Sequence, residues 1–172
     1  MIYILTGPVH SGKTSLLKKV FHELKKKEVK IDGFLSEIVW ENQEAVGYNL
    51  FALKEEKAVP FIRRRGEENW QRVGPYFFLP EGLARAQEII FRGRDADFFI
   101  VDEIGPLELA GKGLWPALEK VIFQSSTKYL LVVRRQILEG FFAMLKESKV
   151  KVFDIEHEGV LKQILEDIKN HS

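Results

Sequence analysis

One short segment constrains this chain more than any other. Residues 7–14 read GPVHSGKT and match the pattern G-x-x-x-x-G-K-[ST]. The apolar run of residues 2–6 precedes this segment, and residues 15–21 follow it with apolar side chains at helical spacing. A strand, a glycine-rich loop and a helix N-terminus, in that order, are the context that a phosphate-binding loop requires. The pattern therefore predicts that the chain binds a polyphosphate at this loop.

Each fixed position of the loop has a physical reason. Gly7 and Gly12 let backbone N–H groups turn inward around a β-phosphate, where a Cβ atom would collide or forbid the dihedral angles. The helix that follows adds N–H groups and the positive end of its dipole. Lys13 is predicted to reach the β- and γ-phosphates, and the Thr14 hydroxyl to ligate Mg²⁺. The predicted phosphate-binding residues are Gly7, Pro8, Val9, His10, Ser11, Gly12, Lys13 and Thr14.

Composition restricts the class of protein. With 172 residues, 45% of them hydrophobic, the chain is expected to form one α/β domain. The formal net charge of +1 argues against a general nucleic-acid binder. The absence of cysteine excludes disulfides, thiolate zinc sites and cysteine nucleophiles. No apolar run approaches the ~18 residues of a membrane span and no secretory signal is apparent, so we expect a soluble cytoplasmic protein without a membrane partner.

The spacing of apolar residues predicts how the chain folds. Gly33 is expected to form a turn before a strand at residues 34–40, and two further strands to complete an antiparallel meander within an insertion of about residues 33–79. Residue 80 is expected to begin a helix. Beyond it, fully apolar strands alternate with amphipathic helices, as in a parallel sheet that is buried on both faces. The predicted fold is a doubly wound, mainly parallel α/β sheet with an antiparallel β insertion, in a single domain of residues 1–172.

An acidic pair provides a second candidate region. Asp102 and Glu103 directly follow the apolar strand at residues 98–101. Ligands bind at the carboxyl ends of parallel strands, the edge at which the phosphate loop also lies. An apolar strand that ends in Asp has the form of a Walker B element, so Asp102 and Thr14 are the candidate Mg²⁺ ligands. Glu103 is expected on the other side of the strand end, where it would accept a proton from the attacking water or orient it. Lys13 and Glu103 are therefore the candidate catalytic residues.

Three other features have more than one interpretation. Glu108 either anchors the loop after the acidic pair or is an exposed charge. Arg134 ends a strand at the same edge and is a candidate γ-phosphate contact, since an arginine finger is worth ~10³–10⁵ in rate; the alternative is a surface arginine at a helix start. Aromatic residues concentrate in and after the insertion. Most are expected in the core, and one or two could stack on a nucleobase.

The motifs together resemble the THEP1 family of P-loop nucleoside-triphosphatases, called cancer-related nucleoside-triphosphatase in vertebrates. The resemblance rests on residues 7–14, Asp32-Gly33-Phe34 with Glu37 and Val39, Val73-Gly74-x-Tyr76, and Asp102-Glu103-Ile104-Gly105-x-x-Glu108-Leu109. It implies a RecA-like fold and slow, Mg²⁺-dependent hydrolysis of nucleoside triphosphates to diphosphates, with broad tolerance for ATP, GTP, CTP and UTP. It also implies a second nucleotide-binding segment, which consists of Ile100, Val101, Asp102, Glu103, Ile104, Gly105, Pro106 and Leu107.

The chain departs from the family pattern in two places. The loop interior is Pro8-Val9-His10-Ser11, where relatives usually have smaller residues, often Gly-Val before the second glycine. The strand at residues 129–133 is followed by Arg134-Arg135, where many relatives carry a Gly-Thr-Ile-Pro-like stretch. The second departure leaves the residue that contacts the γ-phosphate open.

Three activities are compatible with these motifs. The first is a hydrolase in which Glu103 acts on water. The second is a phosphotransferase, a small-molecule or nucleotide kinase whose acceptor is held by the insertion. The third is a non-catalytic nucleotide switch, against which the carboxylate pair argues. The sequence does not identify a protein partner. The site as predicted requires that the phosphate loop and the acidic pair lie close enough to share one magnesium ion.

Overall fold

The structure, a computed structural model, describes residues 1–146 and 148–170. Its strands are β1 (Ile2–Thr6), β2 (Ile31–Glu41), β3 (Glu44–Ala52), β4 (Lys57–Arg63), β5 (Arg72–Val73), β6 (Tyr76–Phe78), β7 (Phe98–Ile104), β8 (Lys128–Val133) and β9 (Val150–Asp154). Its α-helices are α1 (Lys13–Lys25), α2 (Pro80–Arg92), α3 (Pro106–Leu109), α4 (Trp115–Ile122), α5 (Leu138–Met144) and α6 (Val160–Asn170). Single 3₁₀ turns lie at Gly93–Asp95 and Arg135–Ile137.

The strands form one nine-stranded sheet in the order β5-β6-β4-β3-β2-β7-β8-β1-β9. β1 pairs in parallel with β8 and β9, and β7 pairs in parallel with β8 and with the first residues of β2. The remaining strands continue the sheet by antiparallel pairing. Because the phosphate loop follows β1 and the acidic pair lies near the carboxyl end of β7, this order brings both to one edge of the sheet, separated by β8.

Helices cover both faces of the parallel strands. Alternate residues of β1 point to opposite faces: Tyr3 packs in the core with residues of α1 and α6, and Ile4 in the core with residues of α2, α4 and α5. Both side chains are fully buried. The predicted doubly wound, mainly parallel sheet with an antiparallel extension is therefore confirmed.

Gly33 does not form the predicted turn, because it lies inside β2. Residues 31–34 of this strand pair in parallel with β7, and the strand then continues into antiparallel pairing with β3. Gly33 has φ +121°, and a Cβ atom there would overlap the backbone carbonyl of Ile100. The glycine is therefore required by the close approach of two neighbouring strands, and the antiparallel strands are a direct continuation of the core sheet.

An ion pair fixes the start of β2 against α2. The guanidinium of Arg92 donates from Nε to Asp32 Oδ2 over 2.7 Å and from Nη2 to Oδ1 over 2.9 Å. The N–H of Gly33 donates to the same carboxylate over 2.7 Å. Asp32 is buried, and a buried carboxylate requires such partners. The first residues of β2 are thereby held in place against the helix that covers them.

The remaining differences from the predicted elements are small. The extended segment at residues 73–79 is a short hairpin of β5 and β6, with Gly74 in its turn at φ +57°. It lies at the outer edge of the sheet, as Pro75 predicted. The short helix α3 was not predicted. Within the part of the chain that the structure describes, no helix has the length and hydrophobicity needed to cross a membrane.

Candidate active site

The phosphate-loop segment connects the carboxyl end of β1 to the first residue of α1. Gly7 has φ +149° and Gly12 has φ +87°, and a Cβ atom at Gly7 would overlap the side chain of Ile155. His10 also has a positive φ, of +60°. No side chain caps the start of α1, and the first N–H groups of a helix have no intrahelical partners. The loop therefore has the backbone form that the motif predicts for binding an anion.

The ammonium group of Lys13 lies over this loop. Nζ donates to the carbonyl oxygen of Pro8 over 2.5 Å and to that of Gly7 over 3.3 Å, and it lies 3.5 Å from the Ser11 hydroxyl. The side chain is only 7% exposed. Removing an ammonium group from water costs free energy, and contacts with neutral carbonyl groups recover only part of that cost. A bound phosphate would supply the missing negative charge.

The acidic pair lies against the loop. The Thr14 hydroxyl donates to Asp102 Oδ2 over 2.7 Å, although the two residues are far apart in the chain. The N–H of Ser36, from β2, donates to the same oxygen over 3.3 Å. The Ser36 hydroxyl also donates to the backbone carbonyl of Asp102. The structure thus brings together the two residues that the sequence proposes as magnesium ligands.

The chemistry of these oxygen atoms fits Mg²⁺. Burial raises the pKa of Asp102 to about 6, while the hydrogen bond from Thr14 opposes this shift and the neighbouring Glu103 adds to it. A cation at this position would relieve the cost of the buried charge. Mg²⁺ is bound by one or two protein oxygen ligands, with substrate phosphates and water completing its shell. Thr14 and Asp102, whose side-chain oxygen atoms lie 2.7 Å apart, are the residues that would hold the ion.

Asp102 and Glu103 line the same cavity. The pairing of β7 with β8 shifts register between Val101 and Ile104. The strict alternation of an unbroken strand, on which the prediction relied, therefore does not apply here. Glu103 Oε1 accepts a hydrogen bond from Arg134 Nε over 2.5 Å. Arg134 is thus at the site and not at a remote surface position.

Glu108 is an anchor rather than an exposed charge. It is 2% exposed, and its carboxylate accepts hydrogen bonds from the N–H of Gly105 over 2.9 Å and from that of Leu114 over 3.1 Å. Burial raises its pKa, and these backbone donors oppose the shift. The side chain therefore ties the segment after Glu103, which forms one wall of the site, to the start of α4.

Replacing Glu108 by glutamine is expected to lower the free energy of unfolding by about 1–3 kcal/mol. The amide NH₂ group cannot accept a hydrogen bond, so one of the two buried backbone N–H groups loses its partner. Urea denaturation measures the change. The matched control is Glu119→Gln, because Glu119 is exposed on α4. Equal stability of the two variants would contradict the anchoring role.

One cavity of about 680 Å³ connects these groups. The phosphate loop and the first residues of α1 form one wall, and the segment after Glu103 forms another. The third wall comes from the antiparallel part of the sheet, chiefly through Tyr48, Ile62, Val73 and Tyr76. The size is typical of a small-molecule site.

The structure does not place every predicted site residue in the cavity. Ile100, Val101 and Ile104 are fully buried in the two hydrophobic cores, so their side chains support the strand that presents the acidic pair. The predicted residues that do line the cavity are Val9, His10, Ser11, Gly12, Lys13, Thr14, Asp102, Glu103, Gly105, Pro106, Leu107 and Arg134. Gly7 and Pro8 contribute their carbonyl groups to Lys13.

Sequence reasoning did not single out two residues of the site. Ser36 contacts Asp102 through both its backbone and its hydroxyl, and it lies inside the segment that resembles the family. Tyr48 lines the cavity near the acidic pair: burial raises its pKa, and the negative charge of Glu103 adds to the shift. The only sequence signal for Tyr48 was the concentration of aromatic residues in the insertion.

Comparison with known proteins is consistent with this geometry. The profile of a protein family described as NTPase matches residues 2–167. A protein of Metallosphaera sedula named nucleoside-triphosphatase THEP1 is 30% identical over 97% of this chain and 86% of its own length. A protein of the same name from Hyperthermus butylicus is 31% identical over 96% of this chain and 90% of its own.

Two solved structures are similar in fold. A solution structure of a human cancer-related nucleoside triphosphatase superposes with a TM-score of 0.77 at 24% identity, covering 99% of this chain and 98% of that one. A crystal structure of THEP1 from Aquifex aeolicus superposes with a TM-score of 0.70 at 22% identity, covering 98% and 99%. At these levels of sequence identity, the two comparisons show that the chain shares the fold of these proteins and nothing further.

Proposed function

The chain belongs to the THEP1 family of nucleoside-triphosphatases, and on that premise we propose that it is a Mg²⁺-dependent hydrolase that releases the γ-phosphate of ATP, GTP, CTP and UTP slowly and with little preference for the base. The observation that carries this proposal is the contact of Thr14 with Asp102, over 2.7 Å, in the cavity that also holds Glu103 and Lys13. Side chains suited to binding phosphate, binding a metal and accepting a proton therefore line the same cavity.

Each side chain has one task in this mechanism. The loop amides and Lys13 bind the β- and γ-phosphates. Thr14 and Asp102 would hold Mg²⁺, which neutralises charge that develops on the phosphate oxygens. Glu103 accepts the proton of the attacking water as the water oxygen bonds to the γ-phosphorus. The bond from that phosphorus to the β–γ bridging oxygen breaks, and the diphosphate leaves.

The ion pair between Glu103 and Arg134 supports the proposal of slow turnover. Arg134 is 41% exposed and Glu103 is 28% exposed, so the pair can open at modest cost. While it is closed, it occupies both the candidate base, Glu103, and the guanidinium of Arg134. We infer that the γ-phosphate competes for the guanidinium and so frees Glu103 to act on water.

Broad tolerance for the base is supported by which parts of the substrate the site would contact. The loop, Lys13 and the acidic pair all engage the polyphosphate and the metal, which are the same in every nucleoside triphosphate. Discrimination between bases requires hydrogen bonds to their edges, whereas stacking on a ring tolerates any base.

The test is phosphate release from the four nucleoside triphosphates, each measured with Mg²⁺ and with an excess of EDTA. When Mg²⁺ is present, we expect the four rates to lie within about tenfold of one another, because most binding contacts would be made to the polyphosphate, which all four substrates share. We expect no release above the protein-free background in EDTA. Metal-independent release would contradict the proposed roles of Thr14 and Asp102, and release from one base alone would contradict the broad tolerance.

Arg134→Ala is expected to lower kcat by at least about tenfold, because a cation at the γ-phosphate is lost during transfer. The neighbouring Arg135→Ala is the matched control. Its guanidinium pairs with Asp154 over 2.6 Å and with Glu156 over 2.7 Å, outside the cavity. Steady-state kinetics with Mg²⁺·ATP measures both variants. A higher kcat in Arg134→Ala than in the wild type would contradict this role and show that the ion pair with Glu103 only inhibits hydrolysis.

A further inference from the structure

The tyrosines that line the cavity differ in what their hydroxyl groups contact. Tyr48 and Tyr76 pack edge to face, with ring centroids 5.7 Å apart. The Tyr76 hydroxyl donates to the backbone carbonyl of Ala45 over 3.5 Å. The Tyr48 hydroxyl has no hydrogen-bond partner among residues 1–146 and 148–170, those that the structure describes. Packing therefore fixes the Tyr48 ring, while its hydroxyl is available to a molecule bound in the cavity.

The register of the antiparallel strands places Tyr48 next to the acidic pair. Tyr48 lies opposite Ile38 in the pairing of β3 with β2. Ser36, two residues before Ile38, contacts Asp102 through its N–H over 3.3 Å and through its hydroxyl. Residues two apart on a strand point to the same face, and an aromatic side chain reaches its diagonal neighbour on the next strand. Tyr48 is therefore one step along the sheet from the residue that holds Asp102.

The surroundings of the Tyr48 hydroxyl keep its proton in place. Burial raises the pKa of this group, Tyr76 and the negative charge of Glu103 add to the shift, and the positive charge of Arg134 opposes it. The influence of both Glu103 and Arg134 also agrees with the position that the strand register gives. A neutral phenol is a hydrogen-bond donor. At neutral pH the cavity therefore contains an uncharged donor beside the ion pair of Glu103 and Arg134.

The γ-phosphate of the substrate is expected at the same point of the cavity. Thr14 and Asp102 are the residues that would hold Mg²⁺, and in phosphoryl-transfer sites the metal contacts oxygen atoms of both the β- and the γ-phosphate. A general base must lie within hydrogen-bond reach of the water that attacks the γ-phosphorus, and Glu103 is that base. The γ-phosphate would therefore lie beside Asp102 and Glu103, the residues next to which Tyr48 is placed.

We propose that Tyr48 is a further catalytic residue, whose hydroxyl donates a hydrogen bond to an oxygen atom of the γ-phosphoryl group while this group is transferred to water. The inference rests on the proposed function, because Lys13 and Glu103 act on the same phosphate. Charge is spread over the oxygen atoms of the phosphoryl group in the transition state. A donor that packing already holds in place stabilises this charge without reorganisation. The phenol keeps its proton throughout, so Tyr48 adds no bond-breaking step to the hydrolysis.

Tyr48→Phe removes the hydroxyl and keeps the ring. We expect kcat for Mg²⁺·ATP to fall about 10- to 100-fold, the usual contribution of one hydrogen bond to a charged group. We expect KM to stay within about threefold of the wild type, because the contact strengthens in the transition state. Tyr76→Phe is the matched control: it removes a hydroxyl from the same aromatic pair, but one that donates to Ala45. Steady-state kinetics of the full chain measures all three proteins, and the control should retain the wild-type kcat.

A transition-state analogue tests the same contact without turnover. ADP with Mg²⁺ and aluminium fluoride imitates the phosphoryl group during transfer, and such an analogue is bound by the contacts that the transition state makes. We expect Tyr48→Phe to weaken its binding by about the factor by which kcat falls, and to leave the Kd of Mg²⁺·ADP unchanged. Isothermal titration calorimetry measures both affinities. A residue that only maintains the fold would not weaken the binding of the analogue alone.

Each other outcome overturns the inference in a different way. Unchanged kcat in Tyr48→Phe, beside an active wild type, would reject the role of the hydroxyl and leave the proposed hydrolase intact. A raised KM with unchanged kcat would assign Tyr48 to substrate binding instead. An equal loss of kcat in Tyr76→Phe would show that the packing of the two rings matters and not the hydroxyl of Tyr48. A wild type that released no phosphate with Mg²⁺ would contradict the proposed function, and with it this inference.

Discussion

Replacing Lys13 by alanine is expected to slow phosphate release from Mg²⁺·ATP by about 10²- to 10³-fold, which is the usual effect of removing one donor that stabilises transition-state charge. The ammonium group is buried over the phosphate loop, where its contacts are backbone carbonyls and the Ser11 hydroxyl. Negative charge accumulates on the phosphate oxygens during transfer, and in a site with little water a fixed cation stabilises this charge strongly. Phosphate release by the variant and by the wild type measures the effect.

The matched control for this variant is Lys19→Ala. Lys19 is exposed on the same helix, so its replacement changes net charge and helix propensity in the same way without altering the cavity. We expect the control to retain the wild-type rate. If Lys13→Ala also released phosphate at that rate, neither the loop nor the cavity would be the site of hydrolysis.

Glu103→Gln is expected to bind Mg²⁺·ATP with a Kd within about threefold of the wild type and to release phosphate about 10²- to 10⁴-fold more slowly, the range for loss of a general base. The amide has the same shape as the carboxylate but cannot accept the proton of the nucleophile. Equilibrium binding of ATP and single-turnover phosphate release measure the two quantities separately, so a loss of chemistry is distinguished from a loss of binding.

Glu44→Gln is the matched control, because it also removes a carboxylate that pairs with an arginine. Glu44 lies 3.1 Å from Arg64, and its side chain is 70% exposed. Surface pairs of this kind contribute little, so the control should behave like the wild type. A Glu103→Gln variant with unchanged turnover would reject its role as base, and one that no longer bound ATP would assign it to substrate binding instead.

The phosphate loop could be predicted from sequence because its determinants are local. Positive φ angles at Gly7 and Gly12 and a helix that begins at Lys13 follow from residues within one short segment. The parallel sheet was equally predictable, because strands buried on both faces carry continuous apolar runs. Helix boundaries are less predictable: after β8 the chain forms a 3₁₀ turn at Arg135–Ile137 before the short helix α5.

The predictions failed where a residue's surroundings came from elsewhere in the chain. Gly33 suggested a turn, but its role is to let β2 approach Ile100. The alternation expected for Asp102 and Glu103 assumed an unbroken strand, but the pairing of β7 shifts register between Val101 and Ile104. The residues around Glu108 fit an anchor and an exposed charge alike, and it is the burial of its carboxylate against the N–H groups of Gly105 and Leu114 that makes it an anchor. None of these facts is encoded in the few residues around the position.

The sequence alone thus determined that the chain has a loop suited to binding a polyphosphate. The backbone angles of this loop and the dipole of the helix after it depend on residues that are adjacent in the chain. Only the tertiary structure decided what surrounds the phosphate. The contact of Thr14 with Asp102, the ion pair of Glu103 with Arg134 and the cavity wall that the antiparallel strands form depend on the order of strands in the sheet. Strand order is set by packing across the whole core, in which residues distant in the chain become neighbours.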